Sequence, residues 1–268
     1  MVSDFSSKCK FLDDELLELN QEGLIPGPKE TEEAFSKRIA LTKASAEEKK
    51  IPSAHLEWTA LHLKELFDFS PRYLPIFYSN ASLFFWEGGC CWIEEGIVAL
   101  QLRKGFKKGS YLRYSRDELI AHEAVHAARG AFEELTFEEV FAYFTSEKKW
   151  RRVLGPMIHR PWEVWPFLMG LGIGLFFPLG MWGATCWLAM GFGRLIRTHR
   201  TFKKGYMQCL KVVKEPKLAR ALLFRLTDGE IHLFAKGEDV LAYAANQTEL
   251  RWRLIRLAYL RSDDGTKS

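Results

Sequence analysis

Cysteine is scarce in this chain, with five in 268 residues: Cys9, Cys90, Cys91, Cys186 and Cys209. The adjacent Cys90 and Cys91 are poorly placed to pair with each other, and no CxxC pair is present. The spacing therefore offers neither a disulfide framework nor a cysteine zinc motif, and a reducing compartment fits best. The opening MVSDFSSKCKFLDDELLELN lacks the apolar core of a signal peptide and carries acids in its place, so any membrane targeting is expected from inside the chain. Acids nearly vanish from residues 148–217, which hold 13 Lys/Arg and 2 Asp/Glu, whereas residues 1–50 hold 8 and 11. Such a basic block suggests phosphate as a neighbour. No recognisable nucleic-acid fold accompanies it, which favours lipid headgroups and argues against nucleic acid.

Charge is missing altogether from residues 164–193, VWPFLMGLGIGLFFPLGMWGATCWLAMGFG. A spanning helix needs about 20 apolar residues and two spans need about 40. The run thus suffices for one span with some to spare and is short for two. Pro178 and Gly180 mark a turn near its middle. Lys148, Lys149, Arg151, Arg152 and Arg160 precede the run, and Arg194, Arg197, Arg200, Lys203 and Lys204 follow it. Basic flanks prefer the cytoplasmic side, so a transmembrane or re-entrant hairpin that enters and returns is expected. A single tilted span, or a hairpin buried inside a soluble protein, is the alternative.

What is present suffices for a core: 47% of residues are hydrophobic and 14% aromatic, which excludes global disorder. Residues 1–70 read as a charged helical arm, with helices over Lys29–Ala44 and Ala54–Phe67, the latter ending before Ser70-Pro71. Ser82–Trp86 and Trp92–Leu102 read as strands separated by Gly88-Gly89, a hairpin candidate, followed by a basic turn at Arg103–Gly109. Leu218–Leu226 and Glu249–Leu260 have helical spacing. The expected divisions are a helical arm (1–70), a catalytic region (71–160), the apolar segment (161–194) and a helical C-terminal region (195–268). The class is α+β.

The chemistry is concentrated in Ser115–Gly130, SRDELIAHEAVHAARG. Ser115 and Glu118 suit a capping box, Gly130 suits a C-terminal stop, and the alanines between them favour a helix. Residues four apart share a helix face, so His122 and His126 can offer two imidazoles to one zinc ion. Glu123 follows the first histidine and lies beside the metal without binding it. It is placed to take a proton from an attacking water and pass it to a leaving amine. That is the mechanical reason for the pattern His-Glu-x-x-His.

A further ligand is needed, and the next segment, Leu135–Phe144, carries Glu139-Val-Phe-Ala142 followed by Tyr143 and Phe144. In this the chain resembles the gluzincin branch of the zincin metallopeptidases over about residues 80–146. The resemblance implies a zincin-like fold in which a small sheet packs on an active-site helix pair. It implies Glu139 as the third zinc ligand, with Ala142 letting the two helices approach. Glu138 is a neighbouring candidate; Phe137, Val140, Phe141 and Phe144 set an apolar face that favours Glu139. Thr136 and Glu139 could instead form a capping box. The resemblance also implies an edge strand for extended substrate, for which Ile97–Leu102 is the candidate. Tyr143 and His159 are candidates for stabilising an oxyanion. His55, His62, His159, His199 and His232 have no partner at ligand spacing.

The expected function is zinc-dependent hydrolysis of a peptide or protein substrate by a membrane-associated metallopeptidase, catalytic side toward the cytoplasm. The alternatives are a membrane-anchored partner or regulator that keeps zinc for structure, and a basic binding protein with a chance motif.

Overall fold

Local signals start and stop the first helices. Asp13, Asp14 and Glu15 occupy the first turn of α1 (Asp13–Glu22), where the helix dipole favours acids. Gly23 ends α1 at φ 85°, a left-handed position where a Cβ would stand 2.6 Å from the Phe69 ring. The computed structural model describes residues 11–48, 56–94 and 97–260. α2 (Glu32–Glu48) starts later than expected because Glu30 is used elsewhere, accepting from the Gly27 amide and from Arg38. α3 (Glu57–Phe67) ends at Asp68, φ 60°, just before Ser70-Pro71. The expected helix start at Ala54, and His55, lie outside the described residues.

The sheet has three strands, β1 (Ile76–Tyr78), β2 (Gly89–Glu94) and β3 (Ile97–Leu102), in the order β1-β3-β2. β3 runs parallel to β1 and antiparallel to β2, with Cys91 opposite Leu100. The expected strand at Trp92–Leu102 is therefore two strands, connected through residues 95–96, which lie outside the described residues. Ser82–Trp86 is not a strand. Arg103 donates to the carbonyls of Phe84 and Glu87, and the Phe84 amide donates to the Glu87 carboxylate, so side chains take backbone groups that a ladder would use. Gly88-Gly89 is not the hairpin turn. Gly89 opens β2, where a Cβ would stand 2.8 Å from the Gln101 carbonyl. The basic turn is a 3-10 turn, Lys104–Lys108, closed by Gly109 at φ 90°. A two-stranded ribbon, β4 (Ser110–Tyr111) and β5 (Tyr114–Ser115), leads into the motif helix α4 (Arg116–Arg129).

After α4 come α5 (Glu138–Phe144), α6 (Lys149–Leu154), α7 (Val164–Gly174) and α8 (Pro178–Val213). The tail folds as α9 (Pro216–Phe224), α10 (Asp228–Ala235), α11 (Val240–Ala245) and α12 (Leu250–Tyr259). The protein is thus mixed α+β, mostly helical with a small sheet. One hydrophobic core runs from Leu16 and Phe35 through Leu100, Val125 and Phe141 to Phe224, Trp252 and Leu254. Buried arginines tie its parts together. Arg129 at the end of α4 donates to the carbonyls of Phe224 and Leu226, and Arg225 donates to Asn20 and to the Phe67 carbonyl.

The apolar run folds as a helical pair, and no helix among the described residues is long and apolar enough to cross a membrane. The transmembrane expectation is corrected accordingly. Helix α7 stops after 11 residues, and Pro178 then restarts the chain as α8. Helix α8 is long, but from Arg194 onward it is basic.

Candidate metal centre

Ser115 caps α4, accepting from the amides of Asp117 and Glu118. The reciprocal half of the capping box does not form. The Glu118 carboxylate instead turns inward and accepts from Ser146, the Glu147 amide and Arg151. Gly130 is not the stop either. Its φ of −54° carries α4 into a 3-10 turn, Gly130–Phe132, and the left-handed reversal falls on Glu133. Ala121, Ala124, Ala127 and Ala128 are buried. Their small side chains let β2 and α5 approach the motif helix closely.

Helix α5 is oriented by its apolar residues and by a distant acid. Phe137, Val140, Phe141 and Ala142 are buried. The Asp228 carboxylate accepts from the amides of Thr136 and Phe137 at the start of the helix. Asp228 thus does the capping, Thr136 does not pair with Glu139, and Glu139 faces the histidines. His122 Nε2 and His126 Nε2 lie 3.4 Å apart. Glu139 oxygens lie 3.8 Å from the first and 3.7 Å from the second. Two ligands at about 2.05 Å from a tetrahedral zinc are separated by about 3.3 Å. The two imidazole nitrogens therefore stand near the spacing of two ligands of a tetrahedral zinc, Glu139 brings one oxygen toward each of them, and these residues fit a metal ion. Each of the three side chains keeps 16–17% of its surface exposed, so the point between them is reachable.

Glu138, the rival ligand, has another place. Its carboxylate lies 2.6 Å from His126 Nδ1. Accepting a proton there leaves Nε2 free to face a metal, the usual arrangement behind a ligating histidine. The backbone of Ala142 forms a corresponding hydrogen bond with His122. Burial and the neighbouring His126 charge push His122 down to about 3, with the Ala142 bond opposing. Burial also pushes His126 down, but the Glu138 hydrogen bond and the charges of Glu139, Glu138 and Glu123 outweigh it and carry it up to about 10. The acids around His126 thus make this a site that favours positive charge. Glu138→Gln is expected to keep the fold and weaken zinc binding by about 10–100-fold, measured by competition with a chromogenic chelator.

Glu123 is 6% exposed and follows His122 into the gap between α4 and β2. Its carboxylate accepts from the Cys91 amide. Burial raises it to about 7, opposed by His126 and that bond and assisted by Glu139 and Glu87. The Cys91 amide is available because β2 is the sheet edge. Leu100, opposite Cys91, donates its own amide to Pro75 on the β1 side, which turns Cys91 outward. The edge strand is therefore Gly89–Glu94. Ile97–Leu102, expected to be the edge, is buried between two neighbours.

No family model, no curated protein and no solved structure matches this chain.

The site opens into a cleft of about 530 Å³ bordered by β2, α4, α5 and the segment that precedes α7. Tyr143 lies on this cleft with its ring against His122, centroids 4.7 Å apart. His159 lies on the same cleft, and its Nε2 is buried without a partner among the described residues. Both oxyanion candidates therefore sit at the site. His62, His199 and His232 bond backbone carbonyls instead. Glu87, the Cys91 amide and the cleft wall of Trp86, Ile158 and Val164 carry no signal in the amino-acid pattern. Only the partly polar, Gly-flanked pattern of β2 distinguished it from the continuous apolar run of β3.

Proposed function

We propose that this protein is a zinc-dependent peptidase with a zincin-like arrangement of site elements. The observation that carries the reading is the convergence of His122, His126 and Glu139, with ligand atoms within 4.8 Å of one another, and a further, non-ligating acid, Glu123, buried beside them. His122, His126 and Glu139 would hold the ion. Bound there, zinc would supply a Lewis acid for a carbonyl oxygen and for water. Glu123 lies within the same pocket and suits the proton traffic: it takes a proton from the attacking water and delivers it to the departing amine nitrogen. Water's oxygen joins the carbonyl carbon, the C–N bond breaks, and an acid and an amine are left. An extended peptide is the favoured substrate because the outward backbone groups of β2 border the cleft and can pair with a strand.

The test is metal content together with cleavage. Protein dialysed against trace zinc at pH 7.5 should hold one ion per chain and cut a library of quenched fluorescent peptides, and a chelator should stop both. Burial raises Glu139 to about 7, opposed by His126 and assisted by Glu138 and Glu163. Zinc must compete with a proton on His126 and, below about 7, with one on Glu139, so its apparent affinity should weaken steadily as pH falls from 7.5 to 5.5. Metal-free protein at pH 7.5 in the presence of zinc would remove the proposal.

A further inference from the structure

We propose that the α7–α8 hairpin docks this protein on an anionic lipid bilayer, its turn within one leaflet and its base at the headgroups. Exposure at the turn is extreme for large apolar side chains: Leu175 82%, Phe176 80%, Phe177 66% and Leu179 79%. Further along, Met169, Ile173, Trp182 and Met190 are exposed as well. These residues surround the pair rather than forming one stripe. Apolar surface on all sides fits a lipid continuum and does not fit a partner that covers one face.

The two legs hold together as helices do in lipid. Between them only Gly180 and Ala184 are buried. A Cβ on Gly180 would stand 2.7 Å from the Gly170 carbonyl oxygen, and one on Gly170 would stand 3.1 Å from the Ala184 Cβ. Close backbone approach, rather than burial of large side chains, makes the contact. Most amides at the turn are paired within the hairpin, as immersion in hydrocarbon favours. The amides of Leu175, Phe176 and Phe177 all donate to carbonyls of α7, and Pro178 has no amide to satisfy.

Length sets the depth. The 11 residues of α7 rise about 16 Å, about half of a ~30 Å hydrocarbon core. Both legs therefore enter and leave by the same face. At the exit α8 exposes Arg197, Arg200, Lys203 and Lys204, with Arg197, Arg200 and Lys204 around one groove. Beside this belt, His199 bonds the Val153 carbonyl, and α6 exposes Trp150, Val153 and Leu154. Basic residues next to aromatic and aliphatic ones, at the base of an apolar hairpin, match an anionic membrane surface. The catalytic cleft shares Arg160 and Val164 with this base, and Trp165 packs on the cleft residue Trp86. Docking would thus open the cleft at the bilayer surface.

Vesicle co-sedimentation of the full chain tests this without reference to peptidase activity. The protein should pellet with phosphatidylcholine vesicles containing a third phosphatidylglycerol, and at least about 25-fold less with phosphatidylcholine alone. Arg197→Gln with Arg200→Gln should lower the anionic partition by about 25-fold, about fivefold for each charge. Phe176→Asp with Phe177→Asp should lower it well over about tenfold, and circular dichroism should stay unchanged because both rings are already exposed. Three results would overturn the proposal: wild-type protein left in the supernatant with both vesicles, double-Asp protein that pellets like wild type, or a hairpin-dependent dimer in lipid-free buffer that ignores vesicles.

Discussion

Glu123→Gln should lower peptide cleavage by roughly 10²–10⁴-fold while zinc content stays at the wild-type level. The substitution keeps the shape of the side chain and removes its ability to accept a proton. The ligand atoms of His122, His126 and Glu139 lie on other residues, so metal should remain. The loss should fall on kcat more than on KM, because proton transfer happens in the transition state and not on binding. The Cys91 amide that donates to the carboxylate can donate equally to the amide oxygen of glutamine, which limits any structural disturbance. Metal analysis and steady-state kinetics on the same preparation read both quantities. Full cleavage with zinc retained would remove Glu123 from the proton traffic, whereas wild-type protein that holds zinc and cleaves nothing would make the site structural and support the regulator alternative. Loss of zinc along with activity would mean that Glu123 helps to hold the ion.

The largest stability effect is expected far from the cleft, at Glu230→Gln. Glu230 is 5% exposed, Arg251 is 1% exposed and Trp252 is fully buried. The Glu230 carboxylate accepts from both Arg251 Nη atoms at 2.8 and 2.9 Å, from Trp252 Nε1 at 2.7 Å and from the Thr227 amide at 2.8 Å. Neutralising it leaves a buried guanidinium whose nearest remaining acid is the more exposed Glu249. Breaking one side of a buried ion pair typically costs about 3–5 kcal/mol. For a chain of this size that is roughly 10 °C in Tm, measurable by thermal unfolding followed by circular dichroism. The pH dependence has a definite sign. Burial pushes Glu230 up, but Arg251, the Thr227 amide and Trp252 outweigh it and hold it below the ordinary carboxylate range. A depressed folded value stabilises above the unfolded value of about 4.3 and is lost as pH falls through the folded one. The gap between wild type and variant should therefore be constant from pH 5 to 8 and close below pH 4. A gap that persists in acid would assign the effect to packing.

Local chemistry was legible in the sequence where it depends on a few neighbouring residues. The motif helix, the Ser115 cap and the shared face of His122 and His126 follow from helix geometry, and so does the break at Pro178. The apolar run was legible as a run, yet its fate depended on where the helices end. A turn after 11 residues of α7 removed the length that a span requires. Errors clustered where long-range partners compete for the same groups. Glu118 left its capping role for Arg151 and Ser146, and Arg103 took the carbonyls that would have made Ser82–Trp86 a strand. The edge strand was misplaced because an edge is a property of pairing order, and composition alone could not tell which strand has one neighbour.

By itself the sequence determined that two imidazoles and an acid share one stretch of helix, because 3.6 residues per turn leaves no freedom in that matter. Only the tertiary structure decided between Glu138 and Glu139. Adjacent residues on a helix point about 100° apart, and which of them faces the two Nε2 atoms, rather than His126 Nδ1, depends on how α5 is rolled against α4. That roll is set by buried Phe137, Val140 and Phe141 and by Asp228, some 90 residues away in the chain, holding the first amides of the helix.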